Sequence, residues 1–408
     1  MSIHRDGSPM RILRSERLAA VLLLIAAVLG LVIANLPFGE SVIGVKDAHL
    51  EIPWARVDLS AGHWITDGLL AIFFFIVAVE LKRELVIGEL NSLSKALLPA
   101  IAAVGGVVVP GAIYVAFTVG GDTVDGWPIP TATDIAFALG VLAVFGRWIP
   151  TRIRVFLLAL AVLDDLIAIL IIAFFFTDNA EPSYLGLAIV TIALFGAVSR
   201  IMRPRSAWIL SRRAQWPIVL VLIVLAVLAW YFVYRSGVHA TIAGVALGLA
   251  MSRRPAGRAA HALEPWSNGV ILPLFAFSAA MVVVPQVSPA ELNAAFWGIL
   301  VGLPVGKLVG IVLAGLLGVF VTRRRAGTHL TFADLGVVGA LGGIGFTVSL
   351  LMNELAFPAD PGVRDEGTLA VLLGSAVAIL LSAVVVTARS RHYRRLGEHA
   401  GQGGPFSH

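Results

Sequence analysis

The stretch "LAVLDDLIAIL", Leu160 to Leu170, lies in a run whose only charges between Val155 and Thr177 are Asp164 and Asp165. A carboxylate in hydrocarbon costs at least ~2.5–3.5 kcal/mol and by default marks a functional site. Two more positions share that character. Asp134 follows Thr133 in "WPIPTATDIAFALG", 127–140, and Lys307 sits in "GKLVGI", 306–311. Three acids and one base, each far from the ends of an apolar run, suit binding a small cation and exchanging protons.

The elements that carry these residues must cross a membrane. The chain has 408 residues, 58% of them hydrophobic and only 13% charged, against about 25% charged in soluble domains. Apolar runs long enough for about 30 Å of hydrocarbon fall near 18–37, 64–82, 96–118, 127–146, 154–177, 184–201, 216–234, 237–252, 267–286, 293–321, 331–353 and 367–388. The expectation is an all-α polytopic membrane protein with about twelve transmembrane helices. The run at 18–37 follows Arg11, Arg14 and Arg17, but exceeds a signal-peptide core in length and reads as a retained helix.

Seven segments hold all of the 30 Lys and Arg except Lys46, Arg56, Arg235, Arg364 and Lys307. They are the N-terminal tail, 82–95, 147–154, 200–213, 253–258, 323–325 and the C-terminal tail. By the positive-inside rule this alternation places both termini in the cytoplasm. The net charge of +5 is then a topology signal, and nucleic-acid binding is not expected. The chain has no cysteine, so nothing is implied about disulfides. The organisation read from the sequence is a cytoplasmic tail at 1–17, a transmembrane domain at 18–388, and a disordered, Gly-rich cytoplasmic tail at 389–408. Residues 45–60 partly alternate apolar and polar and read as an external hairpin.

At about 1.5 Å per residue, Asp164 lies roughly 15 Å along a helix from Arg154. Asp134 is comparably far from Asp125 and Arg147, and Lys307 from Glu291 and Arg323, so all converge on the midplane. Neighbouring helix residues project about 100° apart, so Asp164 and Asp165 face different surroundings. Lys307 is the one midplane cation and is expected to pair with an aspartate, leaving another to bind a cation alongside Asp134. Pro128 and Pro130 interrupt the span around Asp134. Gly339, Gly342, Gly343 and Gly345 either interrupt the later span at 336–350 or permit close helix packing. Each interrupted segment is second of three spans, and seven positions apart in span order gives opposite orientation. That layout predicts inverted repeats whose broken helices cross near the midplane binding site.

The motifs "FFFIVAVELKREL" (73–85), "PTATDIAFALGVLAVFG" (130–146), "ALAVLDDLIAIL" (159–170), "SGVHATIAGV" (236–245), "ILPLFAF" (271–277), "GKLVGI" (306–311) and "GGIGFT" (342–347) resemble the bacterial NhaA-type Na+/H+ antiporters, over about 18–388. The resemblance implies a secondary transporter rather than an enzyme, in the bacterial inner membrane. It would extrude Na+ or Li+ for incoming protons, electrogenically, with two protons per Na+ and no cofactor, for pH and sodium homeostasis. Carried over by position, Asp165 resembles the principal ion-binding and proton-exchanging carboxylate, and Asp164, its companion at the metal site, the aspartate paired with Lys307. Asp134 and Thr133 resemble the residues at the crossing, supporting charge balance and ion binding. Asp67 matches an external acidic position. Glu80, Lys82, Arg83 and Glu84 match a cytoplasmic cluster tied to pH response, with His239 and His261 as further candidates. The family often places an acid before a His-x-x-His-Pro-Trp stretch; here it reads Ala260, His261 and Glu264, so pH control departs from the pattern. The hairpin implies a homodimer within the lipid bilayer. Rivals are a sodium-coupled solute symporter, a channel, which would need a filter loop, and an intramembrane aspartyl protease.

Overall fold

The structure is a computed structural model that describes residues 16–53, 56–88, 90–177, 180–202, 216–284, 288–289, 291–322 and 330–402. It is almost wholly helical. Eight helices are long and apolar enough to cross a membrane among the described residues, and two further bent pairs pass the same test jointly. Among the described residues that test does not reach the count of about twelve expected from hydropathy. The segment at 237–252 yields Thr241–Ala250, too short for about 20 residues of hydrocarbon, and that at 267–286 yields a π-type turn, Ser267–Ile271, running directly into Leu272–Ala279. Hydropathy alone does not see where such helices end.

The chain divides into two compact units. One comprises Leu22–Gly88 and Ile169–Val283; the other comprises Glu16–Val21, Glu89–Ala168 and Val284–His408. The first unit opens with most of α1 (Glu16–Ala34), α2 (Gly39–Asp47) and an antiparallel hairpin, β1 (His49–Ile52) with β2 (Val57–Ser60). Its register pairs His49 with Ser60 and Ile52 with Val57, so the hairpin expected at 45–60 forms. Next comes α3 (Ala61–Ile87), widened to a π-type turn over Trp64–Leu69. The unit continues with α7 (Pro182–Ile201), α8 (Trp216–Arg235), α9 (Thr241–Ala250), α10 (Arg253–Trp266) and α11 (Leu272–Ala279). Helix α10 was not anticipated. Its Pro255, Ala256 and Ala260 are buried while its three arginines are exposed, an amphipathic pattern without an apolar run.

The second unit repeats one order twice, a long helix, a broken segment and a long helix. The first set is α4 (Leu93–Thr118), the segment ending in α5 (Ile135–Phe145), and α6 (Thr151–Phe175), which belongs to this unit as far as Ala168. The second is α12 (Ala294–Val301) with α13 (Lys307–Thr322), then α14 (Phe332–Gly342) with α15 (Phe346–Ala356), then α16 (Pro361–Gln402). Helices α4 and α13 pack almost backbone to backbone. A Cβ on Gly310 would collide with the Gly105 carbonyl, and one on Gly105 with Ala314, as expected where helices associate through small residues. Helix α16 runs through Gln402, so 389–402, read as a disordered tail, continues as helix. Arg389 and Tyr393 there bind the buried Asp334, a tertiary anchor that overrides polar composition.

Helix α8 shows why this surface belongs in lipid. Leu220, Ile223, Val224 and Val227 are each at least half exposed. A contiguous apolar face of that kind is not left open to water in soluble monomers. The chain is a multi-pass membrane protein.

Candidate functional site

The site lies within the second unit, where both broken segments meet. Pro128 and Pro130 allow only short 3-10 turns, Val124–Gly126 and Ile129–Thr131. The chain is then extended through Ala132 to Asp134 before α5 begins. The partner break runs from Gly343 to Gly345, bending α14 against α15 by 52°. Both sequence-predicted interruptions are real. At Gly345 a Cβ would strike the side chains of Ser349 and Leu303 and press on the Ala132 carbonyl, so glycine permits the crossing.

Four helix ends at one place leave backbone donors and acceptors without intrahelical partners. The chain satisfies them across the crossing. The Asp134 amide donates to the Ile344 carbonyl at 2.6 Å. The Thr133 hydroxyl donates to the Gly342 carbonyl, the last of α14, at 2.8 Å. The Asp134 carboxylate accepts from the Phe137 amide at 3.2 Å, capping α5. It also accepts from the Thr347 amide at 3.2 Å and hydroxyl at 2.7 Å. One carboxylate thus faces the positive N-terminal ends of α5 and α15. Asp134 is only 4% exposed, and its carboxylate accepts all three of these hydrogen bonds.

Beside the crossing lies the ion pair expected from the sequence. Lys307, placed at the start of α13 by the π-type turn Gly302–Gly306, is fully buried. Its ammonium donates to both Asp164 oxygens at 2.7 Å and to the Thr133 hydroxyl at 3.0 Å. All three of its protons have acceptors. Asp164 has a side-chain exposure of 1% against 0% for Lys307. The desolvation of two such charges is recovered only with geometry this complete. Which aspartate pairs, left open by spacing, is Asp164. Asp165 is next on α6 and only partly buried, on another side of the helix.

The remaining candidates lie in the first unit and fall into two groups. Asp67, in the π-type turn of α3, has a carboxylate 3.5 Å from His239 Nδ1, and its carbonyl accepts from the Trp230 indole at 2.7 Å. Glu80, Lys82, Arg83 and Glu84 occupy the last turns of α3. Lys82 caps the far end of α9 through the Leu249 and Met251 carbonyls, at 2.6 and 2.8 Å. His239 precedes α9, so that helix separates it from the Lys82 group. His261 is on α10, 3.6 Å from Glu264, and lines a cavity with Lys82 and Arg83.

Thr347 was not singled out by residue chemistry, although "GGIGFT" contains it. Asp334 was also missed. It is fully buried and held by Arg389 at 2.9 Å, Tyr393 at 2.8 Å and the Thr331 amide at 3.0 Å. The signal was Thr331-x-x-Asp334, a capping box.

Comparison with known proteins points the same way. The family described as Na+/H+ antiporter 1 matches residues 10–386. A Na+/H+ antiporter NhaA 2 of Clavibacter michiganensis is 58% identical over 390 residues, covering 95% of this chain and 94% of the relative. A Na+/H+ antiporter NhaA of Tropheryma whipplei is 46% identical over 403 residues, covering 98% and 100%. One from Mycolicibacterium smegmatis is 44% identical over 397 residues, covering 95% and 89%. With a buried lysine–aspartate pair beside two crossed broken helices, and relatives matching nearly end to end, this chain belongs to the NhaA-type Na+/H+ antiporter family.

Proposed function

We propose that the protein exchanges one Na+ or Li+ for two protons at Asp165 and the Asp164–Lys307 pair. The observation that carries the proposal is the unequal treatment of adjacent carboxylates. Asp164 is sealed against Lys307, whereas Asp165 is partly exposed one position along. Asp165 holds either a proton or the metal ion. A cation drawn in beside it competes with Lys307 for Asp164, and the ammonium, losing its counter-charge, releases the second proton. Asp134, Thr133 and Thr347 hold the crossing and balance the helix ends while the ion is bound. Competition for one site couples the two fluxes, and alternating access around it completes the cycle.

Two protons against one monovalent ion move one net charge. An inside-negative inner membrane then drives protons in and Na+ out, in the service of pH and sodium homeostasis. The same reading puts residues 1–17 and the C-terminal segment from 389, helical through Gln402, in the cytoplasm and assigns transport to 18–388. The α3 cluster with His261, and His239 beside Asp67, are the candidates for pH response. A homodimer through the hairpin is supported by its exposed outer strand, in which Leu50 is 57% exposed.

The test uses proteoliposomes with an imposed pH gradient and an entrapped pH dye. Added Na+ or Li+ is expected to dissipate the gradient, K+ is not, and Asp165→Asn is expected to be silent. An active Asp165→Asn protein would sink the assignment.

A further inference from the structure

A cavity of about 680 Å³ opens in the first unit, between the end of α3 and the start of α10. Lys82, Arg83, Arg253, Arg254, Arg258 and His261 line it, and none of its described lining residues is acidic. A second cavity of about 580 Å³ shares Lys82, Arg253 and Arg254 and adds Arg200. Positive-inside topology requires basic residues near this end, but not their convergence on a concave surface. Lys82 spends its charge on the Leu249 and Met251 carbonyls. The arginines at 83, 253, 254 and 258 are exposed, and like charges gathered on one concave surface repel one another.

The local backbone adds to this field. Ser252 stands at the N-cap of α10 but makes no side-chain cap. Its hydroxyl and amide are instead tied to Ser199, at 3.2 and 2.9 Å. The positive end of a fourteen-residue helix is therefore left uncapped by a side chain at the same cavity. Val79, Ile87 and Met202 supply an apolar wall. Arginine forks match tetrahedral oxyanions in two-point contacts, and several can share one phosphate.

We propose that this cavity binds a phosphate-bearing anion. The ligand is either free phosphate or the headgroup of an acidic membrane lipid, the chemistry being common to both. The proposal goes beyond ion exchange and does not depend on it; its failure would leave the Asp165 reading untouched.

The test uses the full-length protein in zwitterionic detergent. Inorganic phosphate and a short-chain phosphatidylglycerol are the probes, with chloride at matched ionic strength and the corresponding phosphatidylcholine as controls. Wild type is expected to bind at least one probe saturably. Arg254→Gln with Arg258→Gln should weaken that binding about tenfold or more, since two charge-assisted contacts are lost. Arg364→Gln, in the other unit, should not. Saturable binding of inorganic phosphate identifies the free anion as sufficient; binding of phosphatidylglycerol alone identifies the lipid. Absence of saturable binding by wild type, or unchanged binding by the double variant, overturns the proposal. Should the double variant not fold, Arg258→Gln alone carries the same comparison.

Discussion

The two neighbouring aspartates on α6 should part company under substitution, because their surroundings differ. Asp164→Asn leaves the Lys307 ammonium buried with only neutral acceptors, and stranding a buried charge costs about 3–5 kcal/mol. Asp165 is partly exposed, so Asp165→Asn strands no charge of that kind and removes mainly a proton and ion ligand. The thermal midpoint in detergent should fall clearly for Asp164→Asn and little for Asp165→Asn, although both lose exchange. Equal losses of stability would mean that Asp165 is as structural as its neighbour. Reading "DD" in an apolar run was enough to locate this pair. Choosing the partner of Lys307 was not, since helical geometry separates the two side chains without saying which one faces α13.

Between elements, the crossing is held by a few hydrogen bonds on one carboxylate, and Thr347 supplies two of them. Thr347→Val keeps the shape and the amide but removes the hydroxyl. A hydrogen bond to a charged group contributes about 1.5–3 kcal/mol, so the thermal midpoint should drop and Thr347→Ser should largely restore it. A Thr347→Val protein as stable as wild type would show that the amides alone suffice at the break. The interruptions themselves were legible, through Pro128 and Pro130 on one side and a glycine run on the other. Their contact was legible only as layout. That Asp134 serves the helix ends depends on where four termini meet, which no local pattern encodes. The same holds for α16, whose polar end stays helical because Asp334 on α14 receives Arg389 and Tyr393. Composition predicted a tail there; a buried partner more than fifty residues away decided otherwise.

For the whole molecule, the quantity at stake is the charge moved per turnover. If Lys307 carries the second proton, the proton-loaded form of the site is neutral overall: Asp165 is protonated, and Asp164 and Lys307 balance. With Na+ bound and both protons gone, the site carries one net negative charge. That single-charge difference makes turnover respond to voltage by about 2.3 kcal/mol per 100 mV, or about fiftyfold in the equilibrium Na+ gradient. Lys307→Ala deletes the second proton carrier, and with Asp164 still ionised the two loaded forms become equal in charge. In proteoliposomes under a potassium–valinomycin clamp, wild-type exchange should therefore depend on membrane potential and Lys307→Ala exchange should persist without that dependence. A variant that still follows the potential would transfer the second proton to Asp164, which would then alternate between protonated and ion-bound forms. Either outcome bears on one contact, in which the Lys307 ammonium donates to both Asp164 oxygens at 2.7 Å.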